Sequence, residues 1–179
     1  MKVDSNNKIL IESIKRLLRR GALSHLRKIV NKTHAADLSE VFRSLSLSEQ
    51  SRLFNLITDI EQKGILFSEL EEDVFLDLVE DIKDDSIVEI FETMPTDDVA
   101  DLLGRLPQDR ADAILAKMNA EGSDEVEDLL SYGIDTAGGI MVPDFIALSQ
   151  DTTVKQAIAS LQKEYIDVEM PFYLYVVDE

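Results

Sequence analysis

Cysteine is absent from the 179 residues, which excludes disulfides, thiolate metal sites and cysteine nucleophiles. Long apolar runs are absent too. The longest, Phe172 to Val177, has six residues, well short of the roughly eighteen that mark a membrane-spanning helix. The N-terminal "KILIESIKRLLRR" interrupts its apolar residues with charge, so it does not read as a signal peptide. Positive charge is scarce: 18 Lys and Arg stand against 36 Asp and Glu, for a net charge of −18. That balance argues against nucleic acid as a partner, because phosphate binding needs a basic surface, and favours cations or basic surfaces instead. No P-loop, nucleophile elbow or Gly-rich dinucleotide turn is present. The two histidines, His25 and His34, are nine residues apart with no metal-ligand spacing between them. These absences predict a soluble, cytoplasmic, non-enzymatic chain.

What is present starts with enough apolar residues, 45%, to bury a core. The length allows one sizeable domain, or one domain and part of another. Charge is segregated. Residues 1–32 hold nine of the eighteen bases and only Asp4 and Glu12, a net of +7; the remainder holds nine bases and 34 acids, a net of −25. In the basic part Leu10, Ile14, Leu17 and Leu18 recur at helical spacing, with Lys15, Arg16, Arg19 and Arg20 toward the end, where cations suit the helix dipole. Two readings fit: a packed first helix with a solvated basic face, or a helix that docks anionic lipid or the acidic body of the chain.

The body is periodic. "DDSIVEIFETMP", "TDDVADLLGRLP" and "QDRADAILAKMN" (84–119) align as twelve-residue blocks without a gap. The register extends to "EDVFLDLVEDIK" (72–83), "LSEQSRLFNLIT" (47–58) and "AADLSEVFRSLS" (35–46), while 59–71 breaks it by one residue. Place 7 of each block is apolar: Val41, Leu53, Leu78, Ile90, Leu102 and Ile114. So is place 8 (Phe42, Phe54, Val79, Phe91, Leu103, Leu115) and place 11 (Leu45, Ile57, Ile82, Met94, Leu106, Met118). Place 4 is usually apolar, as in Phe75, Ile87 and Val99. Together these trace one stripe of a helix with a 3.6 period. Each block therefore predicts a helix of roughly eight to ten residues, two of them ended by Pro95 and Pro107. Helices this short are not stable alone, so they must stack, as in a right- or left-handed superhelix of helical repeats.

Each of blocks 72–119 also carries an aspartate in its second place: Asp73, Asp85, Asp97 and Asp109. An acid in the first helical turn meets the positive end of the dipole, for roughly 0.3–1 kcal/mol. Place 6 is not explained that way. Asp73/Asp77, Asp85/Glu89 and Asp97/Asp101 are like-charged i, i+4 pairs, each costing a few tenths of a kcal/mol. Either these are solvated faces, or a cation neutralises them, for which a hard divalent ion with oxygen ligands, Mg²⁺ or Ca²⁺, is the natural candidate.

From "YGIDTAGGIMVPDFIALSQDTTVKQAIASLQKE" the pattern changes. Gly138-Gly139 and Pro143 interrupt the helical register. "FIAL" (145–148) reads as a strand, "TVKQAIASLQKE" (153–164) as a helix and "PFYLYVV" (171–177) as a second strand. A lone strand–helix–strand unit leaves sheet surface uncovered, so the sequence is expected to stop inside a second domain.

"DTAGGIMVPDFIAL", "TVKQAIASLQ" and "YLYVVDE" resemble the junction between the N domain and the first CBS domain in the MgtE family of magnesium channels and transporters, and "PTDDVADLLGRLP" resembles that family's helical repeat. The resemblance covers roughly residues 35–179. It implies a basic N-terminal helical segment (1–33), a helical-repeat N domain (34–132), and a linker with the first, incomplete part of an α/β CBS unit (133–179). It further implies a homodimer on the cytoplasmic face of the bacterial inner membrane, part of an integral membrane protein. There the N and CBS domains bind Mg²⁺ at their interfaces and close the pore when internal Mg²⁺ is high. The family's acidic "DDxAD" stretch falls on Asp97 and Asp101, with Asp98 beside them. Asp85, Glu89, Asp73 and Asp77 are weaker candidate Mg²⁺ ligands. The rest of the CBS region and the pore, with any opposing ligands, lie outside this sequence. An alternative is a non-enzymatic protein-binding scaffold of short helices like the flagellar motor-switch protein FliG, although a pure helical scaffold has no need of the strand–helix–strand tail.

Overall fold

A computed structural model describes residues 3–133, 136–139, 141, 145–163 and 173–178. The chain divides into two compact units, Met1–Gly133 and Ile134–Glu179. The first is helical: α1 (Val3–Arg20), α2 (Leu23–Val30), α3 (Ala35–Arg43), α4 (Leu47–Phe54), α5 (Ile60–Glu69), α6 (Glu72–Glu80), α7 (Asp84–Phe91), α8 (Thr96–Arg105), α9 (Gln108–Leu115) and α10 (Ala120–Leu130). Helices α2, α3 and α4 start at residues 23, 35 and 47, and α6 to α10 at 72, 84, 96, 108 and 120. The sequence step of twelve is therefore one helix plus its connector, and it runs further in both directions than the legible blocks. The irregular stretch 59–71 is a helix like the others. Asp59 caps α5 by accepting from the Glu61 amide at 3.1 Å, and the extra residue makes one step of thirteen.

The two prolines act differently from one another. Leu106, before Pro107, is extended (ψ 155°) and ends α8, as the residue before a proline must avoid the helical region. Helix α7 already stops at Phe91, so Pro95 does not end it. Both prolines are N-caps of the next helix; their fixed φ suits the entry, and their carbonyls accept from Val99 and Ala111.

Odd helices pack on odd ones (α1 on α3, α3 on α5, α5 on α7, α7 on α9), while α4 packs on α6 and α8 on α10. The core lies between these rows. Every place-7 and place-8 residue is buried. So is every place-4 residue, including Gln50, whose Nε2 donates to the carbonyls of Phe42 at 2.9 Å and Leu45 at 3.4 Å at the end of α3. Place 11 is the margin: Ile82, Met94 and Met118 are only partly covered. Phe67 of α5 holds the centre, stacked on Phe54 (5.2 Å between centroids) and edge-on to Phe75 and Phe91. Ile14, Leu18, Leu26 and Val30 belong to the same core, so the basic N-terminal helices pack as part of this unit.

Short helices expose many unpaired end groups, and this unit satisfies them from one turn of the stack to the next. Gln62 of α5 donates to the carbonyls of Val30 and Thr33 behind α2. Arg105 of α8 reaches Leu70 behind α5, and Arg110 of α9 reaches Val79 and Ile82 at the end of α6, both at 2.8 Å. In each case a long donor closes the C-terminus of the helix three before it.

In the second unit β1 (Ile146–Ser149), α11 (Val154–Lys163) and β2 (Leu174–Val177) form the expected strand–helix–strand, the strands parallel with Ile146 opposite Leu174 and Ser149 opposite Val177. Thr153 and Gln156 close the start of α11 reciprocally: the Thr153 amide donates to Gln156 Oε1 at 3.0 Å, and the Gln156 amide to Thr153 Oγ1 at 3.4 Å. The positions Pro143, Glu164, Pro171 and Phe172 of the sequence reading lie outside the described residues.

Candidate functional site

The second-place acids occupy the first turns of α6, α7, α8 and α9, as the dipole account requires. Their surroundings differ. Asp73 Oδ1 accepts from the Val74 amide at 2.8 Å, which ties it to its own helix end. Asp84 and Asp85 of α7 face bases from α9 and its trailing turn. Arg110 Nε lies 3.3 Å from Asp84, and Lys117 Nζ lies 2.8 Å from Asp85 and 3.7 Å from Asp84. The hydrogen bond and charge of Lys117 hold the Asp85 carboxyl below its ordinary pKa, and Asp85 in turn raises the Lys117 ammonium. The like-charge cost that Asp85 and Glu89 carry within α7 is thus met inside the chain.

On α8 the acids are arranged otherwise. Asp98 accepts from Ser68 Oγ of α5 at 3.2 Å and is half-buried. Asp97 is half-buried and Asp101, one turn on, is exposed. Among the described residues no ion pair reaches either. Asp77 borders a hollow between α6 and the α8–α9 connection, with Glu80, Asp109, Arg105 and Arg110. Glu89 borders another, with Asp81, Lys63 and Lys83. Among the described residues, no group of three or more Asp, Glu and His is gathered as a metal cluster. The fold brings Asp97 and Asp101 onto one face, and with no cluster of three such ligands among the described residues any divalent ion held there needs oxygens from another surface or from water.

Several residues that organise this face were not legible. Lys117, Arg110 and Ser68 pair with acids 26 to 32 residues away, and nothing local in the sequence marks such partners. His34 accepts from the Ala36 amide through Nδ1 at 3.3 Å as the N-cap of α3. Among the described residues no helix is long and apolar enough to cross a membrane.

Comparison with known proteins fits this architecture. Residues 33–135 match the model of the MgtE intracellular N domain. The magnesium transporter MgtE of Bacillus subtilis is 28% identical over 163 residues, covering 91% of this chain and 36% of that protein. The MgtE of Thermus thermophilus is 42% identical over 55 residues, 31% of this chain and 12% of that protein. The chain therefore spans about a third or less of the curated relatives it matches. A crystal structure of the cytosolic domain of the Mg²⁺ channel MgtE in complex with ATP superposes with a TM-score of 0.85 at 25% identity, over 94% of this chain and 69% of that one. That coverage extends past the helical unit into Ile134–Glu179. The soluble part of a magnesium transporter gives a TM-score of 0.80 at 23% identity, over 97% and 68%, and so shares the fold. With more than half of its residues matched to the family's intracellular N domain, the chain belongs to the MgtE family.

Proposed function

We propose that this chain is the Mg²⁺-sensing regulatory part of a magnesium channel or transporter, non-enzymatic, placed on the cytoplasmic face of the membrane and working as a homodimer. The observation that carries this is the contrast between α7 and α8. Asp85 already has its cation, whereas Asp97 and Asp101 share a helix face at like-charged spacing with no ion pair among the described residues. That face is built to receive a cation from outside. The curated relatives are named magnesium transporters, which makes Mg²⁺ the ion of choice.

The mechanism is a population shift. At low Mg²⁺ the acidic helical unit and an acidic CBS partner repel, and the assembly is loose. Mg²⁺ bridges carboxylates across the two surfaces and favours the compact, closed form. A millimolar site is worth about 4 kcal/mol, so several sites must act together to switch a population sharply. Asp97 and Asp101 supply the first ligands, with Asp98 steadied by Ser68 beside them; Asp73, Asp77, Asp85 and Glu89 contribute mainly to the field. Limited proteolysis of a chain extended through both CBS domains tests this. Millimolar Mg²⁺ should protect the wild type, and Asp97→Asn/Asp101→Asn should need several-fold more. Equal protection of both proteins would remove these two residues from the site.

A further inference from the structure

The basic N-terminal hairpin has no role in that mechanism, and its charges are unspent. Helix α1 ends at Arg20 and turns through Gly21, whose φ of +66° is left-handed. The Ala22 amide donates back to Leu17 and the Gly21 amide to Leu18, so α2 starts at once and the two helices form one hairpin. Its apolar stripe is committed: Ile14, Leu18, Leu26 and Val30 are buried, which leaves the cations outward. Lys15 and Arg19 lie close enough to Glu49 of α4 to lower its pKa, secondary to its bonds with Ser46. Lys8, Arg16, Arg20, Arg27, Lys28 and Lys32 are exposed, and none makes an ion pair among the described residues. The chain has 34 acids outside residues 1–32, and among the described residues none forms an ion pair with these six bases. Ile9 (61% exposed) and Leu23 (46%) stand among these cations as exposed apolar residues.

We propose that the α1–α2 hairpin is an electrostatic docking surface for an anionic lipid bilayer. The helix dipole explains cations at the last turns of α1 and α2, but not Lys8 or Arg16, a turn or more earlier. A second copy of the chain is disfavoured as the occupant. A basic end placed on a partner's acidic body is a heterologous contact that propagates rather than closes. A bilayer presents anionic headgroups over a flat area. A screening length of about 8 Å limits what distant acids contribute to such a contact. The membrane as neighbour rests on the proposed function; the unpaired basic surface does not. Docked this way, the hairpin would hold the sensor against the membrane independently of Mg²⁺.

Co-sedimentation of the whole chain with vesicles, in chelator and without Mg²⁺, tests this apart from the Mg²⁺ mechanism. Vesicles of equal parts phosphatidylglycerol and phosphatidylcholine should carry the protein down, vesicles of phosphatidylcholine alone should not, and added salt should release it. Each Lys or Arg near such a surface is worth roughly fivefold in binding, so Arg16→Gln/Arg20→Gln should weaken it by roughly an order of magnitude or more. Arg52→Gln/Lys155→Gln, with the same change in net charge, should leave it unchanged. All these positions are exposed, and circular dichroism checks that the fold is kept. No preference for anionic vesicles, or equal loss in both double variants, overturns the proposal. So does concentration-dependent self-association at low salt that Arg16→Gln/Arg20→Gln abolishes, which would assign the surface to a second copy.

Discussion

Lys117 Nζ sits 2.8 Å from Asp85 Oδ1, joining the connector after α9 to the first turn of α7, one step along the same row of the stack. The contact spans 32 residues and neutralises an acid that the repeat alone would leave repelling its neighbour. Its pH dependence has a definite sign. Asp85 has a lowered pKa, so its contribution is present above the ordinary aspartate range and is lost as pH falls through the lowered value. Lys117 has a raised pKa, so its contribution is present below the ordinary lysine range and is lost as pH rises through the raised value. The difference in melting temperature between wild type and Lys117→Gln should therefore be greatest from about pH 5 to pH 9, and should fade toward both extremes. A difference that persists unchanged at pH 2 would mean that Lys117 acts by packing.

Arg110 should matter more to stability. Its guanidinium closes two carbonyls at the end of α6 and pairs with Asp84, all partly shielded from solvent. Hydrogen bonds with a charged partner contribute about 1.5–3 kcal/mol each before coupling. Arg110→Ala should cost about 2–4 kcal/mol by denaturant unfolding. Arg110→Lys should recover less than half of that, because an ammonium cannot match the planar fork.

Two glycines should respond in opposite directions. A Cβ on Gly104 of α8 meets nothing within 4 Å, so Gly104→Ala should stabilise by roughly 0.5–1 kcal/mol. A Cβ on Gly64 of α5 would lie 2.6 Å from Met94 Cγ. Met94 must shift even for Gly64→Ala, and Gly64→Val should cost about 1–3 kcal/mol through crowding where α5 meets α7. Thermal melts of the three variants decide it.

Phe67 joins α4, α6 and α7 through three ring contacts and is fully buried. Phe67→Ala should cost about 3–5 kcal/mol, and Phe67→Leu less than half of that. A loss below 1 kcal/mol for the alanine variant would mean the stack can collapse around the gap.

How much of this was legible follows from how far each signal travels along the chain. The stripe at places 4, 7, 8 and 11 is a local pattern, and it located the helices and most of the core. It broke at 59–71 because a single inserted residue shifts the frame, although α5 still buries Leu66 and Phe67. Gln50 was the one polar residue at place 4, a hint of the cross-helix capping that the structure shows. Arg110, Arg105 and Lys117 carry no such hint, since their partners lie a turn of the superhelix away. The acids were legible as like-charged pairs. Which of them a cation inside the chain already neutralises is settled by tertiary contacts, and that distinction separates Asp85 from Asp97 and Asp101.

The central claim is that the α8 face with Asp97 and Asp101 responds to Mg²⁺. Small-angle scattering of the chain extended through the CBS domains proposed to follow it, with and without millimolar Mg²⁺ at matched ionic strength, tests it most directly, with Asp97→Asn/Asp101→Asn measured alongside. The account predicts that Mg²⁺ reduces the radius of gyration of the wild type and that the double variant contracts less or needs more Mg²⁺. Indifference of the wild type to Mg²⁺, or equal contraction of the two proteins, would contradict it and leave those acids as solvated helix ends.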